Sequence, residues 1–137
     1  MQDIGGARVI CKNIEDVKKI EELLNTKDKR FKYKFVRKKD YILRPKSSGY
    51  CGVHLIYKYI NDDKESVGYN SNGLSIELQI RTQLQHIWAT AVEVVGIFQQ
   101  EDLKSSIGNT ETLSFFALCS SALLYLKKAT ELNGILL

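Results

Sequence analysis

At 137 residues the chain has room for one domain with a single core and is short for two. An apolar share of 44% and a charged share of 26% are ordinary for a soluble globular protein. No run approaches the roughly 20 apolar residues that span a bilayer. The start Met1-Gln2-Asp3-Ile4-Gly5-Gly6 has neither the basic nor the apolar segment of a secretory signal. The expectation is a cytoplasmic protein with no membrane contact. Cys11, Cys51 and Cys119 are odd in number and widely spaced, and His54 and His86 are the only histidines. That pattern suits neither a disulfide framework nor a zinc site, so reduced structural thiols are expected. The net charge is +4, yet ten of the twenty basic residues fall between Lys27 and Lys46, against Asp28 and Asp40. Such a segment is either a solvated basic loop or an electropositive surface that attracts phosphates.

Along the chain, Gly6–Lys12 reads as a short strand. Asn13 is a candidate N-cap, with Asp16 three residues on, for a helix carrying Ile14, Val17, Ile20, Leu23 and Leu24 on one face and ending at Asn25-Thr26-Lys27-Asp28. In Phe31–Arg37 the residues Phe31, Tyr33 and Phe35 alternate with Lys32 and Lys34, the period of a strand with a wet basic face. Lys38–Gly49 reads as a loop, and it holds the only proline, Pro45. Val53–Ile60 resumes strand character, with Val53, Leu55, Tyr57 and Tyr59 opposed to His54, Ile56 and Lys58. Asn61–Gly73 is a polar connection.

Leu74–Arg81 is the clearest strand. Leu74, Ile76, Leu78 and Ile80 point one way, and Ser75, Glu77, Gln79 and Arg81 the other. Its polar face is either a solvent-facing edge or a row of chemically active groups. A helix follows with Leu84, Ile87, Trp88, Ala91, Val95 and Phe98 at helical spacing. A second long helix, about Glu111–Asn133, closes the chain. The order of elements suggests an α+β or mixed α/β domain with helices packed on a small sheet.

Three segments together resemble the synthetase domain of RelA/SpoT nucleotide pyrophosphokinases. Asp40-Tyr41-Ile42-Leu43-Arg44-Pro45-Lys46-Ser47-Ser48-Gly49-Tyr50, continued to His54, is similar to the family's guanine-binding loop. Ile76-Glu77-Leu78-Gln79-Ile80-Arg81-Thr82, with His86, Trp88 and Ala89 after it, resembles the catalytic strand. Asp3-Ile4-Gly5-Gly6-Ala7-Arg8-Val9-Ile10 resembles the first core strand, which opens on a metal-binding aspartate with an arginine five residues later. The resemblance covers residues 3–89 and implies one synthetase-like domain over 1–137, with C-terminal helices at about 83–133. It implies a nucleotidyltransferase fold of the polymerase-beta type, a small mixed sheet flanked by helices. The implied reaction is transfer of pyrophosphate from ATP to the 3′-hydroxyl of GTP or GDP, the alarmone-forming step of the stringent response.

A ribose hydroxyl is a poor nucleophile at neutral pH, so this chemistry needs a base within reach and a cation to absorb phosphate charge. Mg2+ takes one or two carboxylates with waters and phosphates. By resemblance, Asp3 and Glu77 hold that Mg2+, and Glu77 also activates the hydroxyl. Tyr50 matches the tyrosine that stacks on guanine, a contact worth roughly 1–3 kcal/mol. Arg8 matches the arginine packed on adenine. Lys39, Lys46 and His54 match positions near the phosphates. Gln79 and Arg81 share the polar face and are expected to make substrate or supporting contacts. Trp88 is expected in the core. Lys32 and Lys34 either extend the basic floor or are solvated.

Two departures stand out. Relative to the family, the chain is expected to be shortened at its N-terminus, without the helical segments that supply an arginine and a lysine to the ATP pocket. Cys51 and Gly52 stand where the family has a polar or basic residue and a serine, and Gly52 is expected to loosen the acceptor loop. Alternatives to the alarmone reading are a toxin-type pyrophosphokinase acting on transfer RNA or adenine nucleotides, and a catalytically degenerate nucleotide-binding domain. Assembly into a homo-oligomer is compatible with the apolar last helix, which suits an ordinary core equally.

Overall fold

The structure is a computed structural model of the chain and describes residues 5–25 and 32–132. Its elements are β1 (Gly5–Cys11), α1 (Ile14–Asn25), β2 (Tyr33–Asp40), β3 (Val53–Tyr59), β4 (Ser75–Thr82), α2 (Gln83–Gln99) and α3 (Thr110–Leu132). The strands form one mixed sheet in the order β1-β4-β3-β2, with β1 parallel to β4 and the other pairs antiparallel. This is the α+β class that the order of elements implies. No described helix is long and apolar enough to cross a membrane. The chain divides into two compact units: residues up to Asp40 with Gly52–Gln83, and Tyr41–Cys51 with the residues from Leu84 onward.

In the first unit, α1 packs against β4 and β1. Its start is fixed by Asn13, whose Oδ1 accepts the backbone N–H of Asp16 at 2.8 Å, satisfying one of the helix's orphan donors. Val17, 1% exposed, carries the buried stripe, whereas Leu23 and Leu24 are 69% and 38% exposed, so the expected apolar face is used only in part. Pairing sets Val53 opposite Ile80 and Leu55 opposite Leu78, and Ala7 and Val9 are in register with Leu78 and Ile80. Val53, Leu55 and Ile80 are fully buried. Burying each such side chain is worth roughly 1.5–3 kcal/mol, which pins the register, because a slip of one residue would turn all of them over.

The basic strand differs from its expected form in two ways. It runs on to Asp40 instead of yielding to a loop at Lys38. Its register also shifts between Phe35 and Arg37, leaving Val36 as the extra residue of a bulge. Before the bulge Tyr33 and Phe35 lie opposite Tyr59 and Tyr57, in edge-on ring contacts of 5.5 and 5.8 Å. Beyond it Lys38 lies opposite Leu55 and Lys39 opposite His54. Lys38 thereby reaches Glu21 on α1 and, at 2.9 Å, Asp40. Burial draws the Lys38 ammonium down, but these two carboxylates outweigh it and raise its pKa.

The second unit has its own core of Tyr50, Trp88, Ala89, Val92, Leu103 and Phe116. Trp88 is buried as expected, and its Nε1–H donates to the Phe116 carbonyl at 3.0 Å. The buried face of α2 is Gln85, Trp88, Ala89, Val92 and Gly96. Of the face expected from spacing, Ile87 and Phe98 are instead 63% and 84% exposed. The helix is apolar nearly all round, so periodicity offers several faces and packing selects one. At the head of α3, Asn109 Oδ1 accepts the N–H groups of Glu111 and Thr112 at 2.8 and 3.4 Å. The expected end of that helix, Asn133, lies outside the described residues. The three cysteines are free thiols among the described residues, and burial raises the pKa of Cys11 and Cys51.

Candidate functional site

The strand registers bring four of the expected site residues into one row across the sheet. Arg8 on β1 is in register with Gln79 on β4, Gln79 lies opposite His54 on β3, and His54 lies opposite Lys39 on β2. Glu77 is two residues before Gln79, on the same face. Without the bulge at Val36, Lys39 would turn to the opposite face.

A chain of hydrogen bonds ties the row together. Arg8 Nε and Nη2 donate to Gln79 Oε1 at 3.3 and 3.2 Å, Gln79 Nε2 donates to Glu77 Oε2 at 3.0 Å, and His54 Nδ1 lies 2.8 Å from Glu77 Oε1. A guanidinium only donates and a carboxylate only accepts, so the Gln79 amide has one orientation here, and His54 carries its proton on Nδ1. Partial burial pushes the Glu77 carboxyl up. The hydrogen bond from Gln79, the charge and hydrogen bond of His54 and the charge of Lys39 outweigh that, and its pKa lies below the usual value. Glu77 is therefore an oriented carboxylate at neutral pH.

Within this row Glu77 is the one carboxylate that can serve Mg2+ as an oxygen ligand. Each Glu77 oxygen accepts one hydrogen bond and keeps a further lone pair, and a single carboxylate with phosphates and water satisfies Mg2+. Among the described residues no group of three or more His, Cys, Asp and Glu could hold a metal ion. Asp3, the other expected ligand, lies outside the described residues. Arg81 is 1% exposed. Of the substrate or supporting contacts expected of it, burial suits the supporting one.

Tyr50 and Lys46 belong to the second unit. Tyr50, matched to the family's guanine-stacking tyrosine, is 1% exposed and packs on Tyr41 and Trp88 at ring separations of 5.7 and 6.2 Å. The Lys46 ammonium stands 5.3 Å from both the Tyr41 and Tyr50 ring centroids. The reason is local: the segment is folded back and fastened by its own unit. Gly49 adopts φ +87°, and a Cβ there would meet Ser120 Cβ at 2.7 Å, while Ser120 Oγ donates to the Gly49 carbonyl at 2.6 Å. A side chain at Gly49 would break both the turn and this contact.

Sequence reasoning missed three residues that matter to this geometry. Lys104 places its ammonium 5.8 Å from the Tyr50 ring and pairs with Glu93. Ser106, in the left-handed conformation at φ 66°, accepts the Ser48 N–H at 3.2 Å. Asn61, 3% exposed, takes Lys32 Nζ on its Oδ1 at 2.9 Å. None lies in a recognisable motif, and only tertiary packing brings Lys104 and Ser106 to the Ser48–Tyr50 segment and Asn61 to Lys32.

The family model described as the region found in RelA / SpoT proteins matches residues 1–100. The GTP pyrophosphokinase YjbM of Bacillus subtilis (strain 168) is 36% identical over 90 residues, 66% of this chain and 39% of that protein. The GTP pyrophosphokinase YwaC of the same organism is 33% identical over 90 residues, 66% of this chain and 40% of that protein. The crystal structure of small alarmone synthetase 1 from Bacillus subtilis, bound to its product pppGpp, matches with a TM-score of 0.77 and 26% identity, covering 98% of this chain and 63% of that one. The chain thus spans about two fifths of the length of the curated relatives it matches. The fold is the nucleotidyltransferase-like one of the small alarmone synthetases. With matching motifs, fold and family model in agreement, the chain belongs to the RelA/SpoT family.

Proposed function

We propose that this chain transfers the β,γ-pyrophosphate of ATP to the 3′-hydroxyl of GTP or GDP, giving AMP and guanosine penta- or tetraphosphate. The observation that carries the reading is the row Arg8, Gln79, His54 and Lys39 with an ionised Glu77 beside it. A relative solved with its product pppGpp supports it.

In this reading Arg8 lays its planar cation against adenine. Lys39 and His54 offset charge on the transferring phosphates, a preorganised arrangement that needs no rearrangement during the reaction. Glu77, with Asp3, would hold Mg2+, which supplies positive charge to the phosphates and acidifies the attacking hydroxyl. Glu77 orients that hydroxyl and takes its proton as the oxygen bonds to the β-phosphorus of ATP and the bond from that phosphorus to the α-phosphate oxygen breaks, releasing AMP. In the second unit, Tyr50 matches the family's guanine-stacking tyrosine and Lys46 a position near phosphates.

Incubation with labelled ATP, Mg2+ and GTP, GDP or transfer RNA, followed by product separation, tests this directly. Labelled guanosine penta- or tetraphosphate supports the proposal. Label on transfer RNA moves the chain to the second reading, which the exposed basic strand β2 favours. ATP and guanine nucleotide binding without any transfer leaves a degenerate nucleotide-binding domain.

A further inference from the structure

A second group of charges shares the sheet face of Glu77 and is not absorbed by the reaction. Lys58 lies two residues beyond Ile56, the cross-strand partner of Glu77, and pairs with Ser75 on one side and Lys34 on the other. Pairing and the two-residue period put Lys34 and Lys58 on Glu77's face, one step of about 7 Å along the sheet. Both lysines line a cavity of about 520 Å³ together with Lys64, Tyr69, Asn72 and Asp62. That size lies within the usual range for ligand sites.

The cavity wall is held in place. Asn72 Nδ2 donates to the Asn61 carbonyl at 2.7 Å, and the Asn61 N–H donates back to Asn72 Oδ1. Neighbouring lysines are already committed, Lys32 to Asn61 and Lys38 to Glu21 and Asp40. Among the described residues, Lys34, Lys58 and Lys64 form no ion pair. Three ammonium groups facing one carboxylate, Asp62, leave the cavity with an excess of positive charge and tyrosine and amide donors at its edge. Such a set selects phosphate oxygens.

We propose that this cavity is a phosphate subsite for a substrate that extends past Glu77 along the sheet. The phosphates belong either to a guanine nucleotide or to the backbone of a single-stranded RNA whose end lies at Glu77. The inference deepens the proposed reaction, since it takes Glu77 as the place of the reacting hydroxyl.

Equilibrium binding tests it without requiring turnover. The probes are GTP and a mixed-sequence single-stranded RNA oligonucleotide, each titrated against the full chain across a salt series. The variants are the pair Lys34→Ala/Lys58→Ala, Asp62→Asn, and the pair Lys18→Ala/Lys19→Ala on α1 as a charge-matched control. Loss of two phosphate contacts is expected to weaken binding by roughly tenfold per lysine, and Asp62→Asn to strengthen it. If RNA supplies the phosphates, the slope of log affinity against log salt falls by about 1 per lysine. Weakening of GTP alone assigns the subsite to nucleotide phosphates, and weakening of RNA alone assigns it to the backbone. Equal effects of the cavity pair and the α1 pair, or no effect of either, overturn the proposal. Failure of pyrophosphate transfer with cavity-dependent binding intact would count against the reaction and not against the subsite.

Discussion

Glu77 is where sequence, geometry and electrostatics meet. Its carboxylate is held by Gln79 and His54 and faces Lys39's charge. Glu77→Gln keeps the shape but removes the charge, so pyrophosphate transfer should fall by at least roughly a hundredfold, with circular dichroism unchanged. The lowered pKa also has a thermodynamic consequence. Stability contributed by Glu77 is fully present above its unfolded value of about 4.3 and is lost as pH falls through the lower folded value. Denaturation followed from neutral pH into that acid range should show a loss that is smaller in Glu77→Gln; identical pH profiles would contradict the assigned hydrogen bonds.

Tyr50 shows why a motif residue is not always on the surface. It is both the expected base platform and a member of the second unit's core. Tyr50→Ala should therefore cost about 3–5 kcal/mol of stability, the usual range for truncating a buried aromatic, measured by denaturant titration without nucleotide. Tyr50→Phe should keep the ring packing of that core, and GTP binding by this variant then reports the ring's stacking without the hydroxyl.

At the scale of elements, the bulge in β2 decides the electrostatics of the sheet. Alternation of Tyr33, Phe35 and Arg37 reads as an unbroken strand, and nothing in that pattern announces an extra residue. The structure needs one, because Lys38 must meet Glu21 and Lys39 must meet the His54 row. Deletion of Val36 should heal the bulge and leave Arg37, Lys38 and Lys39 opposite Ile56, Leu55 and His54 in a regular ladder. Transfer activity should then survive together with the Tyr33 and Phe35 ring contacts, which aromatic side-chain NMR would reveal. An inactive but folded deletion variant would mean that the bulge itself, and not only the register of Lys39, serves the site.

At the scale of the whole molecule, the reaction proposed here depends on a divalent cation and on small nucleotides. Removal of Mg2+ by chelation should abolish transfer, and its return should restore it, whereas zinc chelators without affinity for Mg2+ should have no effect. Product formation followed by chromatography across such a series checks both. Persistent activity without any divalent cation would remove the carboxylate-metal role from Glu77.

The sequence by itself determined the α+β class, the polar face of β4, the opposition of His54 to Leu55 on β3 and the N-cap at Asn13. Each follows from local chemistry: a period of two, a capping side chain, or a motif whose residues lie close together in the chain. The family was equally legible, because three short motifs in order survive where overall identity is modest. Only the tertiary structure decided the rest. It selected the buried face of α2 among several apolar ones, because burial depends on which neighbours are present. It closed the core of the second unit over Tyr50, through Gly49, Ser120 and Trp88, residues far apart in sequence. It aligned Arg8, Gln79, His54 and Lys39 through strand register and a bulge, which are set by long-range pairing and side-chain burial that no local pattern encodes.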